Sequence, residues 1–209
     1  QIIALGAHGQ TVRHQPGLHD GVGYTRQVMN SALLAELSGI DVISDFRSRD
    51  VAAGGQGAPL VPGFHAQMFA SEQEARVVCN IGGIANLTIL PVDSVTNPKS
   101  IIGFDCGPGN ILLDYCAQKY LGKPYDENGC WAASGQLDAA FLAQLMSEHF
   151  FKKTPPKSTG RDLFNSTWLE KQCHLFGTTP APVDMQTTLT HCTAQAIAQA
   201  VQSYGGDAR

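Results

Sequence analysis

The stretch from Gly103 to Asn110 restricts the possible folds more than any other part of the chain. The residues before it are apolar from Ile101 onward, Asp105 stands at the end of this apolar run, and a Gly-Pro-Gly turn follows. Apolar residues at helical spacing then continue to Leu121, and the next residue is a glycine that can end a helix. The pattern predicts a strand, a glycine turn and a helix in direct succession, which is typical of α/β proteins.

This stretch is also the first candidate site. Backbone N–H groups at a glycine turn and the positive end of a helix dipole attract phosphate groups. A carboxylate at the strand end can orient a nucleophile or a Mg²⁺ ion there. We therefore predict a phosphate site from Asp105, Gly107, Gly109 and Asn110. The alternative is a structural turn in which the acid only solvates the helix end.

A second glycine turn joins two predicted strands between residues 80 and 86. Gly82 and Gly83 lie in it, with Asn80 before them. Two glycines with an asparagine favour a close approach of the backbone to a phosphate. Asn80, Gly82 and Gly83 are therefore predicted to bind nucleotide or phosphate, and a plain β-hairpin is the alternative.

Three polar residues near the start of the chain are candidate substrate ligands. Arg49 belongs to residues 45–50, where two arginines stand between two acids, and guanidinium groups bind sugar hydroxyls, carboxylates and phosphates. His8 and Gln10 follow the first predicted strand, in a polar loop at residues 8–11 that could bind a polar substrate. Surface ion pairing for Arg49 and a structural role for His8 are the alternatives.

Charge and cysteine content exclude several functional classes. The net charge is −4 and 15% of the 209 residues are charged, so we expect neither a nucleic-acid nor a membrane partner. The six cysteines show no metal or redox spacing, and the histidines show no ligand spacing. We predict free, mostly buried thiols, no dedicated metal site, and a reducing, cytoplasmic location. A homodimer remains open.

The spacing of apolar residues predicts the strands and helices of the chain. Strands are predicted at residues 2–7, 40–44, 76–80, 84–90 and 101–105, the last three as an antiparallel meander. Helices are predicted at 31–37, 110–121, 135–150, 161–173 and 185–204. Residues 45–62 are rich in loop residues, which indicates a domain junction or a site loop.

Taken together, several strings resemble one family, the anhydro-N-acetylmuramic acid kinases. These strings occupy residues 6–14, 45–50, 54–62, 80–87, 104–110, 131–135 and 156–161. Each alone would be weak, but their number and order over nearly the whole chain make the resemblance specific. No role is assigned to the string at 156–161.

The resemblance implies an α/β fold with actin-like ATPase architecture, as in hexokinase, Hsp70 and actin. Residues 1–46 would then be the C-terminal part of the first domain and residues 47–209 an incomplete second domain. It further implies that the family's N-terminal phosphate loop and its C-terminal nucleotide-binding turn lie outside this sequence. We therefore expect this chain alone to lack kinase activity.

The resemblance also implies a reaction. Water opens the 1,6-anhydro ring of the sugar, and O6 takes the γ-phosphoryl group of ATP with Mg²⁺, giving N-acetylmuramic acid 6-phosphate in peptidoglycan recycling. Asp105 matches the base that activates the water, and Arg49 matches a sugar-binding arginine. The alternatives are a catalytically inactive fragment that binds a sugar or a partner, and another sugar kinase of the same fold.

Overall fold

The structure, a computed structural model, describes residues 2–208. The predicted domain ranges begin at Gln1 and end at Arg209, and these two residues lie outside the described part. The described chain divides into two compact units, of which the first ends at Leu60 and the second begins at Val61. The predicted domain boundary at residues 46/47 concerns the actin-like architecture and stays a prediction.

The first unit contains two small sheets and two short helices. Its elements are β1 (Ala4–Gly6), β2 (Gln10–Pro16), β3 (Gly23–Val28), α1 (Ser31–Ser38), β4 (Asp41–Ile43) and α2 (Ser48–Ala52). β1 pairs with β4 in parallel, and β2 pairs with β3 as an antiparallel hairpin.

Capping residues explain the bounds of α1. The Asn30 side chain accepts a hydrogen bond from the backbone N–H of Leu33, and Gly39 ends the helix in the left-handed conformation. The prediction of a helix between these residues, with a strand after it, is confirmed.

The hairpin of β2 and β3 corrects the predicted polar loop at residues 8–11. Gln10 and Thr11 already belong to β2, so Ala7, His8 and Gly9 alone lie between β1 and β2. The sequence of β2 is polar on both faces, which removes the alternation that identifies a strand. Pairing with β3 stabilises it, and local sequence does not encode that pairing.

The second unit packs helices against a three-stranded antiparallel sheet. Its elements are α3 (Pro62–Phe69), β5 (Arg76–Ile81), β6 (Ile84–Leu90), β7 (Ile102–Pro108), α4 (Ile111–Leu121), α5 (Cys130–Ala133), α6 (Ala139–Met146), α7 (His149–Lys152), α8 (Ser166–Phe176) and α9 (Pro182–Tyr204). The strand order is β5-β6-β7, so the predicted meander is confirmed. The predicted α/β class is confirmed as well, because both units combine helices with sheets.

α9 joins the two parts of the core in the second unit. Leu87 and Phe104 of the sheet lie in one buried cluster with Ala200 of α9. Leu189 and Cys192 of the same helix belong to the other cluster, which collects residues of α4, α6 and α8. Complete burial of a leucine or phenylalanine side chain contributes about 1.5–3 kcal/mol. One face of the sheet is thus fixed against α9.

Two helix predictions differ from the structure in their bounds. The predicted helix at 135–150 is divided into α6 and α7, because Asp138 and Glu148 each accept backbone N–H bonds that start a new helix. The helix predicted from residue 161 begins at Ser166, where Asn165 is the N-cap. In the described part of the chain, no helix is long and apolar enough to span a membrane.

Candidate functional site

Three polar residues form a row across the sheet of the second unit. Asn80 of β5 lies directly opposite Asn86 of β6, and Asn86 lies directly opposite Asp105 of β7. Residues directly opposite in antiparallel strands project to the same face, so the three side chains share a face. Their neighbours Leu87 and Phe104 form the next pair and face α9 instead. The sheet thus has a polar row on the face away from α9.

A β-bulge beside Asp105 maintains this arrangement. Ala85 pairs with Gly107 and Asn86 with Asp105, so Cys106 is an additional residue in β7. Cys106 is buried, and its thiol donates a hydrogen bond of 3.2 Å to the carbonyl oxygen of Ala85. Burial raises the pKa of the Cys106 thiol to about 12. The bulge therefore directs an unreactive thiol to the core and the carboxylate of Asp105 to the polar face.

The segment at residues 156–161, for which the sequence indicated no role, holds Asp105 in place through two hydrogen bonds. The backbone N–H of Asp105 donates to the carbonyl oxygen of Lys157 at 3.1 Å. The backbone N–H of Thr159 donates to Oδ2 of Asp105 at 2.9 Å. The side chain of Asp105 is consequently oriented by a segment far away in sequence, and only 5% of the residue is exposed.

Lys157 contributes a buried cation to the same part of the unit. Its Nζ donates to the carbonyl oxygen of Phe150 at 3.3 Å and lies 4.8 Å from the centre of the Phe150 ring. Desolvation lowers the pKa of Lys157, while Cys106 and Asp105 act in the opposite direction through their charges. The ammonium group therefore adds a positive charge to the surroundings of Asp105.

The two predicted glycine turns lie side by side. The backbone N–H of Gly109 donates to the carbonyl oxygen of Gly83 at 2.9 Å, and that of Asn110 donates to Gly82 at 2.8 Å. A Cβ atom at Gly109 would lie 2.2 Å from the carbonyl oxygen of Gly82, so only glycine permits this approach. At Gly107, a Cβ atom would lie 2.7 Å from the Phe151 ring. Packing therefore explains Gly107 and Gly109 by itself.

Neither packing nor backbone conformation requires a glycine at position 82 or 83. A Cβ atom at either position would have its nearest neighbour at 3.7 or 3.8 Å, which is ordinary van der Waals contact. Neither residue has a positive φ that would favour glycine. The described chain thus provides no steric requirement for these two glycines, and their open side can admit a ligand close to the backbone.

Asn110 directly precedes α4 and lines a cleft. Its side chain makes no capping hydrogen bond to the helix. The cleft has a volume of about 820 Å³, and its lining also includes Asp114, Tyr125, Asp126 and His191. Asp126 is structural, because its carboxylate accepts the backbone N–H groups of Trp131 and Ala132 at the start of α5. The volume lies within the range of small-molecule sites.

In the first unit, the three predicted substrate ligands have different environments. Nε2 of His8 accepts a hydrogen bond of 2.7 Å from Nε of Arg47, so the ring hydrogen lies on Nδ1 and is donated to the carbonyl oxygen of Gly9. Both ring nitrogens of His8 thus have partners within the chain. Gln10 is exposed at the start of β2, and Arg49 is exposed on α2. All three remain predicted ligands.

Sequence reasoning selected Arg49 but missed Arg47 as the arginine that organises this loop. Besides binding His8, the Arg47 side chain donates to the carbonyl oxygen of Gly57. The acids on either side also bind locally, since Asp50 accepts the backbone N–H of Gly57 and Asp45 accepts the Ser48 hydroxyl. No sequence signal separates the two arginines, because the distinction depends on the fold of the loop at residues 54–60.

These features define an α/β protein in which two glycine turns and an oriented carboxylate share one end of a sheet. The anhydro-N-acetylmuramic acid kinase family model matches residues 1–209. A kinase of that name from Cupriavidus metallidurans is 58% identical over all of this chain and 55% of its own length. The one from Ralstonia nicotianae is 59% identical over 98% of this chain and 53% of its own length.

The chain therefore belongs to the anhydro-N-acetylmuramic acid kinase family, as the resemblance of its motifs predicted. It spans about half the length of the curated relatives that it matches.

Proposed function

We propose that the complete protein containing this chain is an ATP-dependent kinase for 1,6-anhydro-N-acetylmuramic acid. Its product would be N-acetylmuramic acid 6-phosphate, formed during peptidoglycan recycling in the cytoplasm. Family membership over the whole chain supports the substrate and the reaction. The observation that carries the proposal is the position of Asp105, an oriented carboxylate on the strand that leads into one of two hydrogen-bonded glycine turns.

The glycine turns fit the phosphate groups of ATP. Gly82 and Gly83 have an open side that nothing in the described chain occupies or requires, and Asn110 leaves the start of α4 without a side-chain cap. Backbone N–H groups in such places bind phosphate oxygens. In the described residues, no group of three His, Cys, Asp or Glu side chains could hold a metal ion. Mg²⁺ would therefore enter with the ATP phosphates and neutralise their charge.

The chemistry assigned to Asp105 is that of a general base. Its carboxylate accepts a proton from the water that attacks the anomeric carbon, and the bond from that carbon to O6 breaks. O6 then takes the γ-phosphoryl group, a transfer that depends on positioning and on charge stabilisation. Thr159 keeps the carboxylate oriented. Arg49, His8 and Gln10 would bind polar groups of the sugar.

The same proposal includes the actin-like architecture. The meander β5-β6-β7 followed by α4 is compatible with the start of such a domain, and residues 1–46 would complete the preceding one. In this arrangement Asn80, Gly82, Gly83, Gly107, Gly109 and Asn110 would bind the phosphate groups of ATP.

The test is an assay of the complete kinase with the anhydro sugar, ATP and Mg²⁺ in water enriched in ¹⁸O. We expect release of ADP that depends on the sugar, and a phosphorylated sugar that carries one ¹⁸O atom by mass spectrometry. N-acetylglucosamine serves as the control sugar. A folded protein that releases no ADP above background, or that prefers the control sugar, would contradict the proposal.

A further inference from the structure

Asn86 has a buried polar atom without a partner next to the proposed base. Its Oδ1 atom is buried and accepts no hydrogen bond in the structure. A buried amide oxygen without a donor costs free energy, so native proteins satisfy nearly all of them, by protein groups or by water. This oxygen lies on the central strand of the sheet, in the same row as Asp105. The unsatisfied acceptor thus indicates a donor that residues 2–208 do not supply.

The position of Asn86 suggests what that donor is. Side chains directly opposite in an antiparallel pair have Cβ atoms about 4.5–5.5 Å apart, so one water molecule can contact both the amide of Asn86 and the carboxylate of Asp105. Exposure increases along the row, from buried Asp105 through half-buried Asn86 to exposed Asn80. Asn86 therefore borders the side from which water or substrate reaches the carboxylate.

We propose that Asn86 positions the attacking water. Its Oδ1 accepts one hydrogen of the water, and the Asp105 carboxylate accepts the other. Because two acceptors on one face of the sheet hold both hydrogens of the water, a lone pair of the water oxygen is directed away from the sheet, toward the anomeric carbon. This inference rests on the proposed function, since it assigns the second ligand of the water in the same reaction.

The bond from the water oxygen to the anomeric carbon forms, and the bond from that carbon to O6 breaks with its electron pair on O6. Asp105 takes one proton and later releases it to solvent, while the hydrogen held by Asn86 remains on the new anomeric hydroxyl. O6 receives the γ-phosphoryl group of ATP, and ADP leaves.

The sequence alone did not identify this residue. Asn86 is the last residue of the segment 80–86 that contains the second glycine turn, and it has the features of a hairpin asparagine. Its pairing with Asp105 depends on the β-bulge at Cys106, because without the additional residue Asn86 would pair with Cys106. Only the register of β6 and β7 places the amide beside the carboxylate.

The first experiment compares Asn86→Ala with Asn165→Ala in the complete kinase. For Asn86→Ala we expect kcat to fall about 10- to 100-fold while KM for the sugar changes less than about threefold, because a misplaced nucleophile slows the step without weakening binding. The melting temperature should not fall, because Oδ1 of Asn86 has no partner within the chain. Asn165 caps α8, so Asn165→Ala should lower the melting temperature and leave kcat unchanged.

The second experiment uses Asn86→Asp, which places a second carboxylate opposite Asp105. Like charges at this distance raise the pKa of the pair, so the acidic limb of the kcat/KM profile should move upward by about one pH unit or more. If Asn86 had only a structural role, its replacement by aspartate would not move the acidic limb of the kcat/KM profile. An unmoved limb, or a kcat of Asn86→Ala within twofold of the parent, would overturn the proposal.

A third measurement does not depend on activity. In a high-resolution crystal structure of the complete kinase, we expect an ordered water within about 3.2 Å of both Oδ1 of Asn86 and the Asp105 carboxylate. If no such water is present, the inference about Asn86 is wrong. A kinase that does not act on the anhydro sugar would instead contradict the proposed function, and the water would still decide the role of Asn86.

Discussion

The backbone N–H of Thr159 donates a hydrogen bond of 2.9 Å to Oδ2 of Asp105, although 54 residues separate the two in sequence. Asp105 also donates its own backbone N–H to the carbonyl oxygen of Lys157. The carboxylate is therefore oriented by the sheet on one side and by a loop on the other. This double support is what a general base requires, because its proton acceptor must stay in one position.

Replacement of Asp105 tests its assignment as the base. In the complete kinase, Asp105→Asn should lower kcat by about 10²- to 10⁴-fold, because an amide of the same shape cannot accept the proton. Affinity for ATP and sugar should remain within a few-fold of the parent, as measured by calorimetry.

Asp138→Asn is the matched control for this substitution. Asp138 caps α6, and asparagine caps a helix about as well as aspartate, so both kcat and the melting temperature should be retained. Near-parental kcat in Asp105→Asn, together with a lowered melting temperature, would assign Asp105 a structural role.

The two glycine turns should respond differently to alanine. Gly109→Ala should lower the free energy of unfolding by about 1–3 kcal/mol, because its Cβ would collide with the carbonyl oxygen of Gly82. Gly83→Ala should change stability by less than about 0.5 kcal/mol but weaken ATP binding, since its Cβ would occupy the open side of the turn. Urea unfolding and nucleotide titration measure the two effects. Undiminished ATP affinity in Gly83→Ala would exclude a phosphate at that turn.

The arginines of residues 45–50 provide a second matched pair. Arg47→Lys should destabilise the protein by about 1–3 kcal/mol, because a lysine cannot bind both His8 and Gly57 as the guanidinium does. Arg49→Lys should leave stability unchanged and weaken sugar binding, because Arg49 is exposed and is the proposed sugar ligand. Melting temperatures and sugar titrations of both variants check this assignment. The reverse pattern would make Arg47 the sugar ligand.

Lys157 should produce a measurable pH dependence of stability. Desolvation lowers its pKa in the folded protein below the usual lysine value of 10.5, so the folded state loses this proton at lower pH than the unfolded state does. Stability attributable to Lys157 therefore rises with pH between the folded pKa and 10.5.

Comparison with Lys157→Met isolates this effect, because methionine keeps an apolar stem without the charge. The difference in unfolding free energy between parent and variant should shift in favour of the parent as pH increases from the lowered pKa of Lys157 toward 10.5. Chemical unfolding at several pH values measures it. A constant difference would show that the ammonium group is not desolvated.

Short-range sequence features were sufficient to predict several helices and strands of the fold. A cap at Asn30 or Ser31 and a glycine at position 39 predicted the ends of α1, and Gly122 predicted the end of α4. Alternating and continuous apolar runs predicted the meander β5-β6-β7, because one of its faces is buried and the sequence must be apolar there. Motif order likewise identified the family before any structural comparison, since it depends on sequence alone.

The hairpin of β2 and β3 and the division of α6 from α7 could not be predicted in this way. β2 is polar on both faces and depends on its partner strand, and the break before α7 depends on which backbone N–H groups Glu148 accepts. The sequence could not distinguish the roles of Arg47 and Arg49 either, because the two arginines are equivalent in sequence and differ only in their contacts.

The amino-acid sequence by itself determined the family, the glycine turns and the choice of Asp105, because residue type and spacing along the chain carry that information. Tertiary structure alone decided which groups surround Asp105. Thr159 and Lys157 reach it through a distant loop, and Asn86 reaches it through a strand register that one additional residue, Cys106, sets. A one-residue change in register reverses the face of every side chain, and the packing of Leu87 and Phe104 against α9 selects the register.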